Sequence, residues 1–187
     1  MSATAGKQIL LEKEDLARTL ARMAHEVVEK AGETGGLALI GIRSRGIHLA
    51  RRLAHQIGEF QMTAPAVGAI DVTPYRDDRG REQDASSMGP SEIPVSVDNK
   101  TVVLVDDVIY RGRTIRAALE ALGKLGQPKR ILVAVLVDRG ARELPIRADI
   151  VGKNVEAQDS QRVSVQLEES DGIDRVMLMP WETQAAL

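Results

Sequence analysis

Four short apolar runs recur along this chain, and segments with helical periodicity separate them. LALIGI (37–42), TVVLV (101–105) and RILVAVLVD (130–138) contain no polar alternation, which is typical of strands buried on both faces of a sheet. Val67–Val72 is a further candidate strand. Such strands alternating with helices predict an α/β protein with a central parallel sheet, flanked by helices and joined by right-handed crossovers.

The intervening segments have amphipathic helical patterns. From Glu12 to Lys30 the apolar residues fall on one helix face and the charged residues on the other, and Ile47–Phe60 and Ile115–Leu125 repeat that pattern. Near the carboxyl terminus, VSVQL (163–167) and VMLM (176–179) predict a few antiparallel strands that lie apart from the main sheet.

Composition narrows the class of protein. A length of 187 residues with 43% hydrophobic residues predicts a single domain spanning 1–187. The 25 Lys and Arg residues nearly balance the 27 Asp and Glu residues, so net charge does not favour a nucleic-acid binder, although a local basic patch is compatible with it. The absence of cysteine excludes disulfides, thiolate metal sites and cysteine nucleophiles. We expect a soluble protein with no membrane association and a cytoplasmic location, since neither a targeting segment nor an 18-residue apolar run occurs.

The stretch VVLVDDVIYRGRT (102–114) carries the strongest chemical pattern. Asp106 and Asp107 are expected at the carboxyl end of a buried strand, where an open α/β sheet binds its ligand. Two adjacent acids there need hydroxyls, a cation or water as partners, and the vicinal diol of ribose supplies two donors. The turn after them leads into a helix whose free amides form an anion site, with Thr114 as the expected N-cap.

This order of strand, acid pair, glycine turn and helix favours a ribose 5-phosphate site over the alternative, a solvated acidic turn before a helix. It is neither a Walker loop nor a Rossmann fingerprint, because neither glycine spacing occurs. A long polar stretch without periodicity, RDDRGREQDASSMGPSEIP, follows the second strand. We expect a functional, mobile loop over about residues 76–93, because long irregular segments inside compact domains usually serve function.

The same stretch resembles the phosphoribosyl diphosphate motif of type I phosphoribosyltransferases. IGIRSRGIHLARRLA, TPYRDD and VAVLVDRGARELPIRADIVGKN resemble the PyrR family, bifunctional pyrimidine operon regulators that are also uracil phosphoribosyltransferases, and the similarity runs from about Ile9 to Met179. It implies the type I phosphoribosyltransferase fold, with a small antiparallel hood formed by about residues 145–180 and the amino terminus. It also implies that uracil and 5-phosphoribosyl 1-diphosphate (PRPP) give UMP and diphosphate with Mg²⁺.

The resemblance also implies roles for individual residues. The acid pair would orient the ribose and stabilise an oxocarbenium-like transition state, Mg²⁺ would be held through substrate and water with no direct protein ligand, and the long loop would close over the substrate. The catalytic group is Asp106, Asp107 and Arg76; the PRPP motif adds Tyr110, Arg111, Gly112, Arg113 and Thr114; the diphosphate loop is Arg43, Ser44 and Arg45; and Asp138 and Arg139 lie on the uracil side.

The family's second activity is regulation, in which a UMP- or UTP-bound protein binds the leader mRNA of a pyrimidine operon and favours transcription attenuation. Candidate phosphate contacts, for which a solvated helix face is the alternative, are Arg18, Arg22, Arg142, Arg147 and Lys153.

Four departures from the family pattern bear on these expectations. Ala141 stands where histidine is usual, Ala21 where a hydroxyl is frequent, and Glu156–Gln158 where Pro-Thr-Ser is usual. They favour the alternative of a salvage enzyme without RNA binding. Arg111 replaces a small Thr or Ser, so its side chain must point outward or add charge to the phosphate site. A transferase for another base, such as hypoxanthine, is a third alternative, and the resemblance implies a homodimer or homotetramer.

Overall fold

The computed structural model describes residues 7–32, 36–76 and 91–181. Their strands are β1 Gln8–Leu11, β2 Leu37–Ile42, β3 Ala66–Ile70, β4 Thr101–Ile109, β5 Arg130–Asp138, β6 Ile150–Asn154, β7 Gln161–Gln166 and β8 Arg175–Pro180. Their helices are α1 Lys13–Ala31, α2 Arg45–Gln61, α3 Arg113–Gly123 and the one-turn α4 Glu168–Asp171, and a 3₁₀ turn spans Thr73–Tyr75.

The central sheet is parallel, as the apolar runs predict. Within the described ranges it has five strands in the order β3-β2-β4-β5-β6. One face packs against α1 and α2 through buried side chains such as Leu20, Leu53 and Val103. The other face packs against α3, where Leu104 and Leu122 are fully buried. The expected α/β class, with helices on both faces of a parallel sheet, is confirmed.

A small antiparallel sheet lies apart from the central one, and its strand order is β1-β8-β7. We call this sheet together with α4 the hood, and it confirms the antiparallel hood built from both chain ends. One boundary of that expectation was wrong, because residues 150–154 pair with β5 as the edge strand β6 of the parallel sheet. Neither an apolar run nor a clear alternation distinguishes IVGKN, so the sequence pattern gave no signal for this strand.

The order in which the chain adds strands to the sheet reverses between β2 and β4. From β2 the chain passes to β3 on one side and then to β4 on the other, so the loops after β2 and β4 leave the sheet side by side. The helix α2 starts against this point, since a Cβ on Gly46 would lie 2.3 Å from the Val105 carbonyl oxygen. A side chain at position 46 would therefore push the start of α2 away from β4.

Two local expectations need correction. The strand β4 continues to Ile109 rather than ending at Val105, because β5 pairs with it through Ile109 after the pairing with β2 has ended at Val105. The N-cap of α3 is Gly112, with φ of 91°, and Thr114 lies inside the first turn. In the described part of the chain, none of the helices combines the length and apolarity needed to cross a membrane.

Candidate active site

Asp106 and Asp107 lie in the part of β4 that extends beyond its pairing with β2, at the place where the strand order reverses. Asp106 is only 6% exposed, and its Oδ1 accepts a hydrogen bond from the Asp107 amide at 2.9 Å. Burial and the neighbouring Asp107 raise the pKa of Asp106 well above its ordinary value, and burial likewise raises the pKa of Asp107. The described residues thus hold two carboxylates that need hydrogen-bond donors or positive charge.

The turn after β4 forms a small pocket. Its lining is Arg76 and the segment Val108–Ile115, and its volume is about 110 Å³. The amino terminus of α3 opens onto it, so unpaired amides and the positive end of the helix dipole favour an anion. The structure therefore brings Arg76 together with the PRPP-motif residues, and the positive charge of Arg76 opposes the rise in the pKa of Asp106.

Arg111 and Arg113 both turn toward Glu143, which follows β5. The Arg113 Nε and Nη2 atoms lie 2.8 and 2.7 Å from Glu143 Oε2, and Arg111 Nε lies 3.1 Å from Oε1. Arg111 therefore points outward, as one of the two expectations for this residue stated, and its side chain remains 51% exposed. Sequence reasoning missed Glu143, although its position in a segment that returns to the same sheet edge could have identified it.

The loop after β2 leaves the sheet next to β4, at the same edge as the acid pair. The Arg43–Ser44 peptide bond is cis, the Arg43 amide donates to the Ile70 carbonyl at 3.1 Å, and the Arg43 guanidinium lies 3.5 Å from Glu92. A cavity of about 260 Å³ is lined by Arg43, Ser44, Ile47, His48, Arg51, Ala69 and Glu92. Its lining joins the loop after β2 and the first turns of α2 to β3, and Arg43 and Arg51 give it positive charge that Glu92 offsets in part.

The third residue of that loop, Arg45, contacts the hood. Its Nη2 lies 2.8 Å from Asp171 Oδ1, and in the same interface Arg52 forms paired hydrogen bonds with both Glu169 and Asp174 at 2.6 to 2.9 Å. Burial alone would raise the pKa of Asp171 and of Asp174, but the hydrogen bonds from Arg45 and Arg52, a backbone hydrogen bond to each carboxylate and the nearby positive charges together outweigh it and lower both. Sequence reasoning missed this contact because its partners are more than 100 residues apart.

Asp138 and Arg139 end β5 at the same sheet edge, but their side chains contact protein groups. Asp138 Oδ2 lies 2.6 Å from Arg142 Nη2, and its Oδ1 accepts from the Gly140 amide at 2.8 Å. Arg139 is 5% exposed; its Nη2 donates to the Gln158 and Gln161 carbonyls, and its guanidinium carbon lies 3.7 Å from the centre of the Tyr110 ring. Hydrogen bonds from Arg139, and then from Arg111, lower the pKa of Tyr110.

The five basic residues expected on the RNA face differ in their surroundings. Arg142 donates to the carbonyls of Tyr110, Gly140 and Ile146 and to Asp138, so the structure gives it the role of holding the loop after β5 together. Arg22 donates to the Val151 and Gly152 carbonyls of β6 and pairs with Glu26. Arg18 pairs with Asp15 and is largely exposed, Arg147 is exposed, and Lys153 is half-buried on β6.

The expected mobile loop of about 76–93 falls mostly on residues 77–90, which lie outside the described residues. Its carboxyl end is anchored: Glu92 and Ala69 exchange two backbone hydrogen bonds of 2.8 Å, and the Ser91 hydroxyl accepts from the Asp71 amide at 3.0 Å. The described end of the loop therefore pairs with β3 at Ala69, and this pairing places the Glu92 carboxylate 3.5 Å from the Arg43 guanidinium.

Comparison with known proteins identifies what this arrangement is similar to. Residues 7–170 match the family described as Phosphoribosyl transferase domain. The Bifunctional protein PyrR of Thermus thermophilus is 52% identical over 180 residues, covering 96% of this chain and 98% of the relative. The protein of that name from Chloroflexus aurantiacus is 50% identical over 173 residues, covering 92% and 94%. The fold is also that of a hypoxanthine phosphoribosyltransferase structure from Trypanosoma cruzi, with a TM-score of 0.71, 16% identity and coverage of 95% of this chain and 97% of that one.

Proposed function

Since this chain belongs to the PyrR family and carries a phosphoribosyl transferase domain, we propose that it is a uracil phosphoribosyltransferase that also regulates a pyrimidine operon through its leader mRNA. In the proposed reaction a bond forms between N1 of uracil and C1′ of PRPP, and the bond from C1′ to diphosphate breaks. The proton on N1 is released, and the products are UMP and diphosphate.

The observation that carries the enzymatic proposal is the buried acid pair of β4, which the phosphate-sized pocket of the turn follows directly in the chain. Asp106 and Asp107 would accept hydrogen bonds from the ribose hydroxyls, and the positive charge that develops on the sugar would then lie beside carboxylates. Because burial has already removed their water, this interaction would be stronger than in solution. The pKa of both carboxyl groups is raised, which is the direction expected for buried acids whose charged form a ligand can stabilise with positive charge or hydrogen-bond donors.

The two anion sites fit the two ends of PRPP. We assign the 5-phosphate to the turn Tyr110–Thr114, whose pocket Arg76 also lines, and the diphosphate to the basic cavity beside Arg43 and Ser44. Arg45, by contrast, is engaged with Asp171, so its proposed role changes from a diphosphate ligand to holding the loop against the hood. The backbone amides of the turn donate to the phosphate without any further rearrangement.

Magnesium is the cofactor that this substrate class implies. Among the described residues no group of three or more His, Cys, Asp or Glu side chains is arranged to hold a metal. We propose that Mg²⁺ takes its ligands from PRPP and water, with no direct protein ligand, and that Asp106 and Asp107 would favour the ion through their charge and their contacts to the ribose. When bound, Mg²⁺ would neutralise charge on the leaving diphosphate.

Uracil is assigned to the sheet edge near Asp138, Arg139 and Tyr110. Asp138 shapes the turn through its bonds to Gly140 and Arg142, and Arg139 supports one face of the Tyr110 ring. We therefore propose that backbone groups of the turn and the ring of Tyr110 contact the base, while the side chains of Asp138 and Arg139 hold them in place. Polar backbone groups in fixed positions discriminate well between bases, because a wrong base leaves them unpaired.

The enzymatic proposal is tested by measuring UMP formation from uracil and PRPP, with hypoxanthine and cytosine as competing bases. We expect a nucleotide product from uracil and none from hypoxanthine or cytosine. Turnover with hypoxanthine and none with uracil would replace this proposal by the purine alternative.

The proposed RNA face follows the edge of the sheet at α1 and β6. Arg18 and Arg22 lie one turn apart on α1, Arg22 contacts the carbonyls of β6, and Lys153 and Arg147 lie on and just before that strand. Such a group of cations can contact successive phosphates. Because the proposed RNA target is a leader mRNA, we propose a cytoplasmic location. We also propose that the protein acts as a homo-oligomer.

We expect filter retention of the leader RNA to increase with UMP and to fall steeply with salt. Arg147→Gln should weaken binding a few-fold and lower the salt slope by about one, because one phosphate contact is lost. Arg130→Gln is the matched control, since it removes one arginine charge at the start of β5, where Arg130 donates to the Lys30 carbonyl. Failure of the wild type to bind at low salt, with uracil transfer intact, would leave a salvage enzyme.

A further inference from the structure

Arg76 lines the phosphate pocket from a different part of the chain than the turn after β4. It follows the 3₁₀ turn Thr73–Tyr75, whereas the other lining residues that the structure describes form the continuous segment Val108–Ile115. An arginine side chain has many rotamers, so a fixed backbone reduces the cost of placing its guanidinium at one phosphate. The two walls of the pocket therefore need a connection that holds Arg76 beside the turn.

Arg116 of α3 provides such a connection. Its amide donates to the Gly112 carbonyl at 3.0 Å, in the first turn of the helix, and its Nη2 donates to the Tyr75 carbonyl at 3.2 Å. Gly112 is the N-cap of α3 and lines the pocket, and Tyr75 directly precedes Arg76. Arg116 thus joins the phosphate turn to the peptide unit from which Arg76 extends.

The peptide bond between Tyr75 and Arg76 is held on both sides. Its oxygen accepts the hydrogen bond from Arg116, and its N–H donates to the Thr73 carbonyl at 3.4 Å. The bond from Arg116 is partly buried and carries a charge on the donor, so it is stronger than a bond between two neutral groups. The orientation of this peptide plane sets the direction in which the Arg76 side chain leaves the backbone.

Other contacts fix the residues just before this peptide bond. Asp71 Oδ1 accepts from the Thr73 amide and from the Thr73 hydroxyl, at 2.9 and 2.7 Å. At the end of α3, Lys124 Nζ lies 4.5 Å from the centre of the Tyr75 ring. The 3₁₀ turn is therefore anchored to α3 through both the backbone and the ring of Tyr75.

We propose that Arg116 is a positioning residue for PRPP: it holds Arg76 beside the phosphate turn, and its side chain affects PRPP binding through Arg76. The inference rests on the proposed function for the identity of the substrate. The lining of the pocket ends one residue before Arg116, at Ile115, so Arg116 acts from behind the wall. Arg76 and Arg116 also take part in further interactions, so the coupling between them is the informative quantity, and not the total loss in either variant.

The test is a double-mutant cycle on the Kd for PRPP, measured by calorimetry with Mg²⁺ and without a base. Arg76→Gln should weaken binding about tenfold, because one charged contact with phosphate is lost. Arg116→Gln should weaken it about fivefold. The double variant should bind at most about twofold more weakly than Arg76→Gln, because a side chain that is absent cannot be misplaced. A merely structural role for Arg116 predicts additive losses, about fiftyfold in the double variant.

Two further variants serve as controls. Arg116→Lys retains a charged donor and loses the fork, so we expect a loss of about twofold that disappears in the Arg76→Gln background. It replaces Arg116→Gln in the cycle if that variant folds poorly. Glu120→Gln removes the carboxylate 3.5 Å from Arg116 Nη1 and leaves the Tyr75 bond in place, so PRPP affinity should not change.

The outcomes separate this positioning role from the proposed function. Additive losses in the cycle, or a KM for uracil that rises as much in Arg116→Gln as the Kd for PRPP, would overturn the role of Arg116 and leave uracil transfer untouched. Coupled losses in a protein that binds PRPP but forms no nucleotide from uracil would support that role and contradict the proposed base. A wild-type protein that does not bind PRPP would contradict both.

Discussion

Two groups of acidic residues in this molecule have opposite electrostatic surroundings. In β4, Asp106 and Asp107 accept hydrogen bonds from backbone amides, and the pKa of each is raised, chiefly by burial. In the hood, Asp171 and Asp174 accept charged hydrogen bonds from Arg45 and Arg52, which lower the pKa of each below its ordinary value. The hood acids contact their arginines directly, whereas the β4 acids hydrogen-bond to backbone amides, and the charges of Arg76 and Arg45 only partly offset the rise in their pKa.

This difference separates acids that hold the fold together from acids that bind substrate. A carboxylate whose partner is an arginine of the same chain has little left to offer a ligand, and removing it leaves a cation without its partner. A buried carboxylate with no such partner costs stability at neutral pH, and it binds strongly when a ligand supplies donors or positive charge. We therefore assign substrate binding to β4 and the positioning of α2 to the hood.

The largest effect is expected from the double substitution Asp106→Asn and Asp107→Asn. Uracil transfer should fall by roughly 10²- to 10³-fold, because the developing positive charge on the ribose loses its stabilising carboxylates. The free energy of unfolding at neutral pH should stay the same or rise, since asparagine Oδ1 can still accept from the Asp107 and Val108 amides without burying a charge.

Initial rates at saturating uracil and PRPP, with urea unfolding on the same samples, measure both quantities. Substitution of the hood acids, Asp171→Asn with Asp174→Asn, is the matched control for the number and type of changes. If the β4 variant kept full activity, or lost both activity and stability, the assignment of this pair to substrate would be wrong.

An intermediate effect is expected when the hood contact is broken at Asp174. Its side chain is 7% exposed and pairs with Arg52, whose side chain is 22% exposed. Asp174→Asn should lower the free energy of unfolding by about 2 kcal/mol, less than the 3–5 kcal/mol typical of a fully buried pair, because Arg52 is partly hydrated. Uracil transfer should fall less than tenfold, through a higher KM for PRPP, since the loop before α2 is less well positioned.

Lys13→Gln offers a matched comparison on the same surface, because Lys13 pairs with Glu168 of α4 and both side chains are about 60% exposed. We expect no measurable loss of stability in that variant. A loss in Asp174→Asn no larger than in Lys13→Gln would contradict a structural role for the Arg52 contact, and a drop in kcat with KM unchanged would argue against positioning of the loop.

The sequence predicted the acid pair of β4, but it gave no signal for the acidic residues of the hood. The run VVLVDDV predicts a buried strand that ends in acids, and this end is expected at the same edge of the sheet as the loop after β2, because the carboxyl ends of parallel strands share an edge. That β4 lies next to β2 became clear only from the structure. The partners of Arg45, Arg142 and Arg111 depend on side chains that come together only in the folded chain. No spacing in the sequence connects Arg45 to Asp171, and the short strands β1 and β6 lack a period long enough to detect.

The smallest effect, and the one that separates the two groups within a single experiment, is the pH dependence of stability. The folded pKa of Asp171 and of Asp174 is lowered, so their contribution is present above the ordinary carboxyl range and is lost as pH falls through the folded values. Asp106 and Asp107 have raised values, so the folded state binds more protons than the unfolded state above the ordinary range, and stability falls as pH rises there. Unfolding free energies measured from pH 3 to 8 should therefore rise more steeply with pH in the Asp106→Asn and Asp107→Asn variant than in the wild type, and less steeply in Asp174→Asn. Equal slopes in all three proteins would show that neither group titrates differently on folding, and the electrostatic distinction between β4 and the hood would then have to be abandoned.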